Sequence, residues 1–237
     1  MKKIGIIGAM DEEVDILKSR LQEGVIKTIA SMEFCEGKLQ NKDVVVVRCG
    51  IGKVNAAVCT QVLADLYQVD AVINTGVAGS LRNEIDIADI VLSTDTVQHD
   101  MDATAFGYGL GIIPRMDNSI FEADKQLLSM AKEVCSELLP TVGVHVGRVV
   151  SGDQFVSDNG KKEWLVEKFE GFCTEMEGAA IAHTAYLNQI PFLIIRAISD
   201  KADNSAHMSY TDFEHIAINN GVKLVEGLLA KMKEIRS

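Results

Sequence analysis

Proline is scarce, with Pro114, Pro140 and Pro191 the only three in 237 residues, and no Ser- or Gly-rich stretch interrupts the chain. Nothing therefore resembles an interdomain linker, no internal repeat is present, and a single domain over residues 1–237 is expected. No apolar run approaches the ~18 to 20 residues that cross a bilayer. Lys and Arg are outnumbered, 23 against 34 Asp and Glu, for a formal net charge of −11. Phosphate backbones and anionic lipid surfaces need clustered cations, so this balance argues against nucleic acid and membrane as partners. The five cysteines (Cys35, Cys49, Cys59, Cys135 and Cys173) are odd in number, widely spaced and without a Cys-x-x-Cys pair. That pattern gives no disulfide framework, zinc site or redox motif, and fits buried thiols in a reducing compartment. Met1-Lys2-Lys3 and the apolar residues 4–10 imitate a signal peptide, but Asp11, Glu12 and Glu13 interrupt them and no small-residue cleavage site follows. The expected location is the cytoplasm.

What is present is an ordinary globular composition, 47% hydrophobic and 24% charged. A chain of this size buries about three quarters of its unfolded surface, enough for a core without covalent staples. Short apolar β-rich runs alternate with longer amphipathic segments. The pattern predicts strands over 3–8, 31–40, 43–49, 71–75, 90–97, 142–151 and 192–199. It predicts helices over 11–21, 53–67, 123–139, 160–169, 179–188 and 211–235. Val44 to Val47 and Ile194-Ile195 are apolar on both faces, as in strands covered on each side. The expected fold class is α/β, a three-layer αβα sandwich around a mixed, mostly parallel twisted sheet.

Ligands of such sheets bind beyond the carboxyl ends of the strands. The residues expected there are Gly8-Ala9-Met10-Asp11-Glu12-Glu13, Gly50-Ile51-Gly52-Lys53, Asn74-Thr75-Gly76-Val77-Ala78-Gly79-Ser80, Ser151-Gly152-Asp153-Gln154-Phe155 and Arg196-Ala197-Ile198-Ser199-Asp200. Several glycine-bearing strand ends in one chain favour a binding rim over simple turn chemistry. Gly50-Ile51-Gly52-Lys53 is not a P-loop, because Val47 stands at the first Gly position and Val54 follows the Lys; nor is it a dinucleotide fingerprint, because Asn55 replaces the third Gly. Amides at this helix start can still hold an oxygen. His99-Asp100-Met101-Asp102 lacks a second histidine at helical spacing, which favours a turn or hydrogen-bonding role over a metal site. No Gly-x-Ser-x-Gly elbow exists, and neither Ser151 nor Ser199 has a histidine nearby in sequence.

Carboxylates in apolar surroundings remain: Glu13, Glu175, Glu177 and Asp200. Glu175 and Glu177 precede a small-residue segment, where two acids are often only a favourable charge pair at a helix N-terminus. Asp200 follows a strongly apolar run, where it is either a helix cap or a partly buried acid with a raised pKa suited to general acid catalysis.

Five blocks, Gly5 to Glu13, Gly50 to Ala57, Asn74 to Gly79, Glu175-Met176-Glu177 and Arg196 to Asp200, together resemble the 5′-methylthioadenosine/S-adenosylhomocysteine nucleosidases of the purine nucleoside phosphorylase-like superfamily. The resemblance runs from Lys3 to the C-terminal helix. It implies a nucleoside phosphorylase-like fold and a homodimer of one-domain subunits. It also implies hydrolysis of the adenine N-glycosidic bond in 5′-methylthioadenosine and S-adenosylhomocysteine, with 5′-deoxyadenosine as a further substrate and no cofactor or metal. Asp200 is then the acid that protonates adenine N7, and Glu13 the group that activates water. Glu177 holds the ribose hydroxyls beside Glu175, Arg196 positions the water and steers Glu13 or Glu177, and Ser199 supports Asp200. Phe155 stacks on adenine while the Val156 backbone reads its edge. Met10, Ile51, Met176 and Tyr210 line the 5′-alkylthio pocket. Phe106 and Pro114 come from the neighbouring subunit. Val77 departs from the pattern, since many relatives carry serine there, and removes one hydroxyl near the water.

Three alternatives stand beside this reading. A phosphorylase needs arginines around an anion site, where this chain has Asp11, Glu12 and Glu13. An aminodeoxyfutalosine nucleosidase differs only in the side-chain pocket. A non-catalytic nucleoside-binding protein is expected to lose Glu13 or Asp200, and both are present.

Overall fold

The chain begins with β1 (Lys3–Gly8), whose residues from Ile4 onward are buried, and α1 (Asp11–Ser19). Two hairpins follow, β2 (Gln22–Ile29), β3 (Met32–Leu39) and β4 (Lys42–Arg48). Their turns carry consecutive positive-φ pairs, Ala30-Ser31 and Gln40-Asn41, the geometry that matches the twist of a two-residue hairpin. The remaining elements are α2 (Lys53–Tyr67), β5 (Ala71–Ser80), β6 (Ile90–Gln98), β7 (Phe121–Glu122), α3 (Lys125–Leu138), β8 (Val144–Ser151), α4 (Asn159–Phe169), β9 (Cys173–Glu175), α5 (Gly178–Leu187), β10 (Phe192–Asp200) and α6 (Ala206–Lys231). This computed structural model describes residues 1–203 and 206–232, with the side chains of 206–212 outside the described set.

The strands form one mixed sheet in the order β10-β6-β8-β9-β5-β1-β4-β3-β2, with β7 on β6 and β10 also pairing with β5. Parallel pairings join β1 to β4 and β5, β5 to β10, and β8 to β6 and β9. Antiparallel pairings join β2 to β3, β3 to β4, β5 to β9, β6 to β7 and β6 to β10. The sheet is mixed, and its central strands β1, β4 and β5 are parallel to one another. Helices α1 and α3 pack on α6, which lies on β5 and β10, whereas α2 packs on α5. Val44 to Val47 and Leu193 to Ile195 are fully buried between the layers, as continuous apolar runs require.

Three strands were not anticipated. β2 is exposed along nearly its whole length and shows no alternation, so only its pairing with β3 makes it a strand. β7 and β9 are too short to carry a period. The strand expected over 71–75 continues as β5 to Ser80, through Gly76 and Gly79. The reason is packing: a Cβ at Gly76 would meet Glu13 Oε1 at 2.6 Å and the Arg196 guanidinium, and one at Gly79 would meet Asp200 Oδ1 at 2.8 Å. These glycines keep the strand bare where acids lie against it. The last helix begins at Ala206 rather than 211, and residues 233–235 of the expected span lie outside the described residues.

Candidate active site

Glu13 lies in the first turn of α1, directly past β1, and is 3% exposed. Its Oε2 accepts the Ala9 and Met10 backbone N–H groups at 2.6 and 3.1 Å, and its Oε1 accepts the Val77 N–H from β5 at 3.0 Å. These bonds pin the carboxylate between the ends of two neighbouring strands. Burial pushes its pKa up, against the opposing charge of Arg196 and the three N–H groups. Glu13 is therefore a stronger base than a surface carboxylate, in a fixed orientation.

A second cluster lies beside it. Glu175, at the end of β9, accepts the Glu177 and Gly178 N–H groups at 2.9 and 2.7 Å, together with the Ser151 hydroxyl and Arg196 Nη2. It caps α5 and neutralises a guanidinium that is 1% exposed. Arg196 also donates to Asn74 Oδ1 at 2.5 Å, while Asn74 Nδ2 donates to the Ile7 carbonyl at 2.9 Å. Burial disfavours the Arg196 cation, but Glu175, Glu177 and Glu13 outweigh it and hold the cation firmly charged. Glu177 Oε1 accepts the Gly52 N–H at 2.8 Å, and its Oε2 stands 4.0 Å from Arg196. Burial, followed by the charge of Glu175, pushes the Glu177 pKa up to about 7. The two acids thus differ: Glu175 spends its oxygens on protein donors, whereas Glu177 remains poised to meet a ligand.

Asp200 ends β10 at 2% exposure. Its Oδ2 accepts the Ser199 hydroxyl at 2.9 Å and its Oδ1 the Ala202 N–H at 2.8 Å. Burial raises its pKa, opposed by those hydrogen bonds. A carboxyl in this setting can hold a proton and deliver it to a ligand.

Glu13, Glu177 and Asp200 open onto one cavity of about 360 Å³ at the carboxyl ends of the strands, a volume suited to a small organic ligand. Met10, Ile51, Val77, Phe155, Met176 and Ser199 also line it, as does Glu175. Arg196 lies behind the carboxylates rather than on the cavity wall, and Val156 is buried in the small core beneath α4. Phe106, in the short 3-10 turn Thr104–Phe106, is 83% exposed and Pro114 is half-buried; neither lines this cavity. The Tyr210 side chain lies outside the described residues. Asn74 and Ser151 hold the acidic cluster together although nothing in their local pattern gave them that task. Thr174 also lines the wall, and it does so only because β9 pairs with β5 there. The amides at the start of α2 do hold oxygens, those of Glu177 and Asp153. Of the acidic run after His99, Asp100 pairs with Lys53 at 2.6 Å and Asp102 accepts the Thr104 N–H.

A mixed α/β sheet with an acid-lined pocket at its strand ends is the site of a class: the family model described as the phosphorylase superfamily matches residues 3–230. Among curated relatives, the 5′-methylthioadenosine/S-adenosylhomocysteine nucleosidase of Exiguobacterium sp. is 43% identical over 98% of this chain and 99% of its own. Among solved structures, the nucleosidase of that name from Neisseria meningitidis, in complex with methylthio-immucillin-A, superimposes with a TM-score of 0.94. It is 36% identical over 98% of this chain and 100% of that one. The futalosine hydrolase of Helicobacter pylori superimposes with a TM-score of 0.92 at 34% identity, covering 98% of each chain. The chain belongs to the 5′-methylthioadenosine/S-adenosylhomocysteine nucleosidase family of the phosphorylase superfamily.

Proposed function

We propose that the chain hydrolyses the N-glycosidic bond of 5′-methylthioadenosine and S-adenosylhomocysteine, releasing adenine and the thioribose. The observation that carries this reading is that two buried carboxyl groups with raised pKa values, Glu13 and Asp200, share one cavity. Cleavage leaves positive charge on the ribose and negative charge on the departing base. Asp200, its carboxyl oriented by Ser199, gives a proton to adenine N7 so that the base departs neutral. Glu13 takes a proton from water, which attacks the anomeric carbon. Glu177 receives the ribose hydroxyls, and with Glu13 it places negative charge near the developing oxocarbenium ion. Arg196 touches no ligand in this scheme; it holds the carboxylates apart in orientation and balances their charge. Phe155 supplies a half-exposed ring for the base. Met10, Ile51 and Met176 supply the apolar, polarizable wall that suits a thioether.

The whole chain acts as one domain in this reading and works in the cytoplasm; none of its described helices is long and apolar enough to cross a membrane. It pairs as a homodimer. Supporting this are Ile51, Val54 and Phe106, large apolar side chains that are 55, 75 and 83% exposed and that a second copy would cover. Phe106 and Pro114 then complete the neighbour's pocket.

The test is incubation of the pure protein with 5′-methylthioadenosine, S-adenosylhomocysteine, 5′-deoxyadenosine and aminodeoxyfutalosine, with identification of base and sugar. Adenine and a free sugar, the thioribose from the first two substrates, are expected, at a rate that added phosphate does not raise. A sugar 1-phosphate product would make the protein a phosphorylase instead.

A further inference from the structure

Three residues from three different elements close a ring beside the cavity without entering it. Lys53, the first residue of α2, donates through Nζ to Asp100 Oδ1 at 2.6 Å, just past the end of β6. Asp100 Oδ2 accepts the Asp153 N–H at 3.0 Å, in the turn after β8. Asp153 Oδ1 returns the link by accepting the Lys53 N–H at 2.8 Å. Lys53 and Asp100 side chains are 19% and 18% exposed, so this ion pair is more than a solvated surface contact. The same lysine reaches Gln98 Oε1 at 3.2 Å. Burial pushes the Asp100 carboxyl up, but the Lys53 and Asp153 donors outweigh it, and the group is held below the usual carboxylate range.

The ring joins two segments that each present a side chain to the cavity. One is the turn before α2, where Ile51 lines the wall and the Gly52 N–H holds Glu177. The other is the turn after β8, which leads to Phe155. The latter turn folds over the buried His99 ring, since a Cβ at Gly152 would overlap it, and His99 N–H donates to the Ser151 carbonyl at 2.9 Å. The His99 ring itself offers packing only, because neither ring nitrogen has a partner among the described residues. Backbone bonds fix the start of the turn, the His99 N–H to the Ser151 carbonyl and the Gly152 N–H to the Glu175 carbonyl at 3.1 Å, and Asp100 adds the side-chain hold on Asp153 further along it.

We propose that Asp100 is a positioning residue for this nucleosidase: through Lys53 and Asp153 it sets the gap between the Phe155 and Ile51 walls that grip the nucleoside. The proposal rests on the reading of the cavity as the nucleoside site. A gap set outside the reacting atoms acts on ground state and transition state alike, so its loss raises KM and leaves kcat nearly unchanged.

The experiment is steady-state kinetics on 5′-methylthioadenosine for the full chain and for Asp100→Asn, Lys53→Met, Lys53→Arg and the double variant Asp100→Asn/Lys53→Met, with a thermal midpoint for each. Each of the two disruptive single variants is expected to raise KM about tenfold with kcat within about twofold, and the double variant to be no worse than either alone. Lys53→Arg, which keeps the charge and a donor, is expected to restore most of the loss. Unchanged KM, or losses that multiply in the double variant, overturns the proposal. So does a fall in kcat at constant KM that tracks the thermal midpoint. If Asp100→Asn fails to fold, Lys53→Met carries the same comparison from the other side of the ring. Failure of the unmodified protein to release adenine rejects the nucleosidase reading itself, which is a separate result from unaltered KM in variants of an active enzyme.

Discussion

In the proposed reaction Asp200 and Glu13 do opposite work from similar burial, and what separates them is what holds each carboxyl. Asp200 accepts one hydroxyl and one N–H, so its proton remains available to a ligand in the cavity. Glu13 accepts three N–H groups and faces the cation of Arg196, which favours its charged form relative to burial alone. Asp200→Asn keeps the shape and removes the transferable proton; adenine release is expected to fall by about 10² to 10⁴-fold with the thermal midpoint nearly unchanged. Glu13→Gln is expected to bind substrate and turn it over as poorly, which equilibrium binding beside a turnover assay will check. Gly76→Ala probes the same carboxylate from the strand beneath it. The added methyl would stand 2.6 Å from Glu13 Oε1, and displacement of a catalytic group by about 1 Å can reduce turnover about 10²-fold. Near-normal kcat in this variant would mean that Glu13 need not be where the structure puts it.

Helix α5 shows how an element and a site are built from the same atoms. Its first turn contains small residues that pack closely, and its N–H groups are taken by Glu175 and by Ser151, whose hydroxyl accepts the Ala179 N–H at 2.7 Å. Both acids line the cavity, but Glu175 also takes the N–H groups of Glu177 and Gly178 at the start of the helix, whereas Glu177 accepts the Gly52 N–H. Glu175→Ala removes the cap and leaves Arg196 buried without its nearest counter-charge, and a loss of about 3 to 5 kcal/mol is expected in denaturant unfolding. Glu175→Gln, which keeps one acceptor, should lose less. Equal stability of the alanine variant would show that the guanidinium finds another partner.

Across the whole molecule, folding collects acids that unfolding would disperse, and stability then depends on pH. A carboxyl held neutral by burial binds its proton more tightly in the folded chain than in the unfolded one. The folded state is therefore favoured at low pH and loses that advantage as pH rises through the folded value. For Glu177 the window runs from its ordinary 4.5 up to about 7. Relative to Glu177→Gln, the unmodified protein should lose thermal stability progressively across that window and no further above it. Parallel melting curves for the two proteins over the same range would remove Glu177 from this role.

Much of this protein was legible along the chain. Alternation of apolar runs with amphipathic segments located the main strands and helices to within a few residues, because burial on both faces of a central strand leaves an unbroken apolar stretch. The acids stood out because carboxylates next to such stretches are rare unless something holds them. Other features have no local signature. Strand β2 exists through pairing with β3, and β9 through pairing with β5 and β8. Gly76 and Gly79 read as a loop and are strand, because their missing side chains make room for Glu13, Arg196 and Asp200. Hydrogen bonds from Val77 to Glu13, from Gly52 to Glu177 and from Arg196 to Glu175 join residues far apart in the chain. Composition and period record which side chains must be buried, whereas the partner each buried charge finds depends on how distant strands are laid side by side.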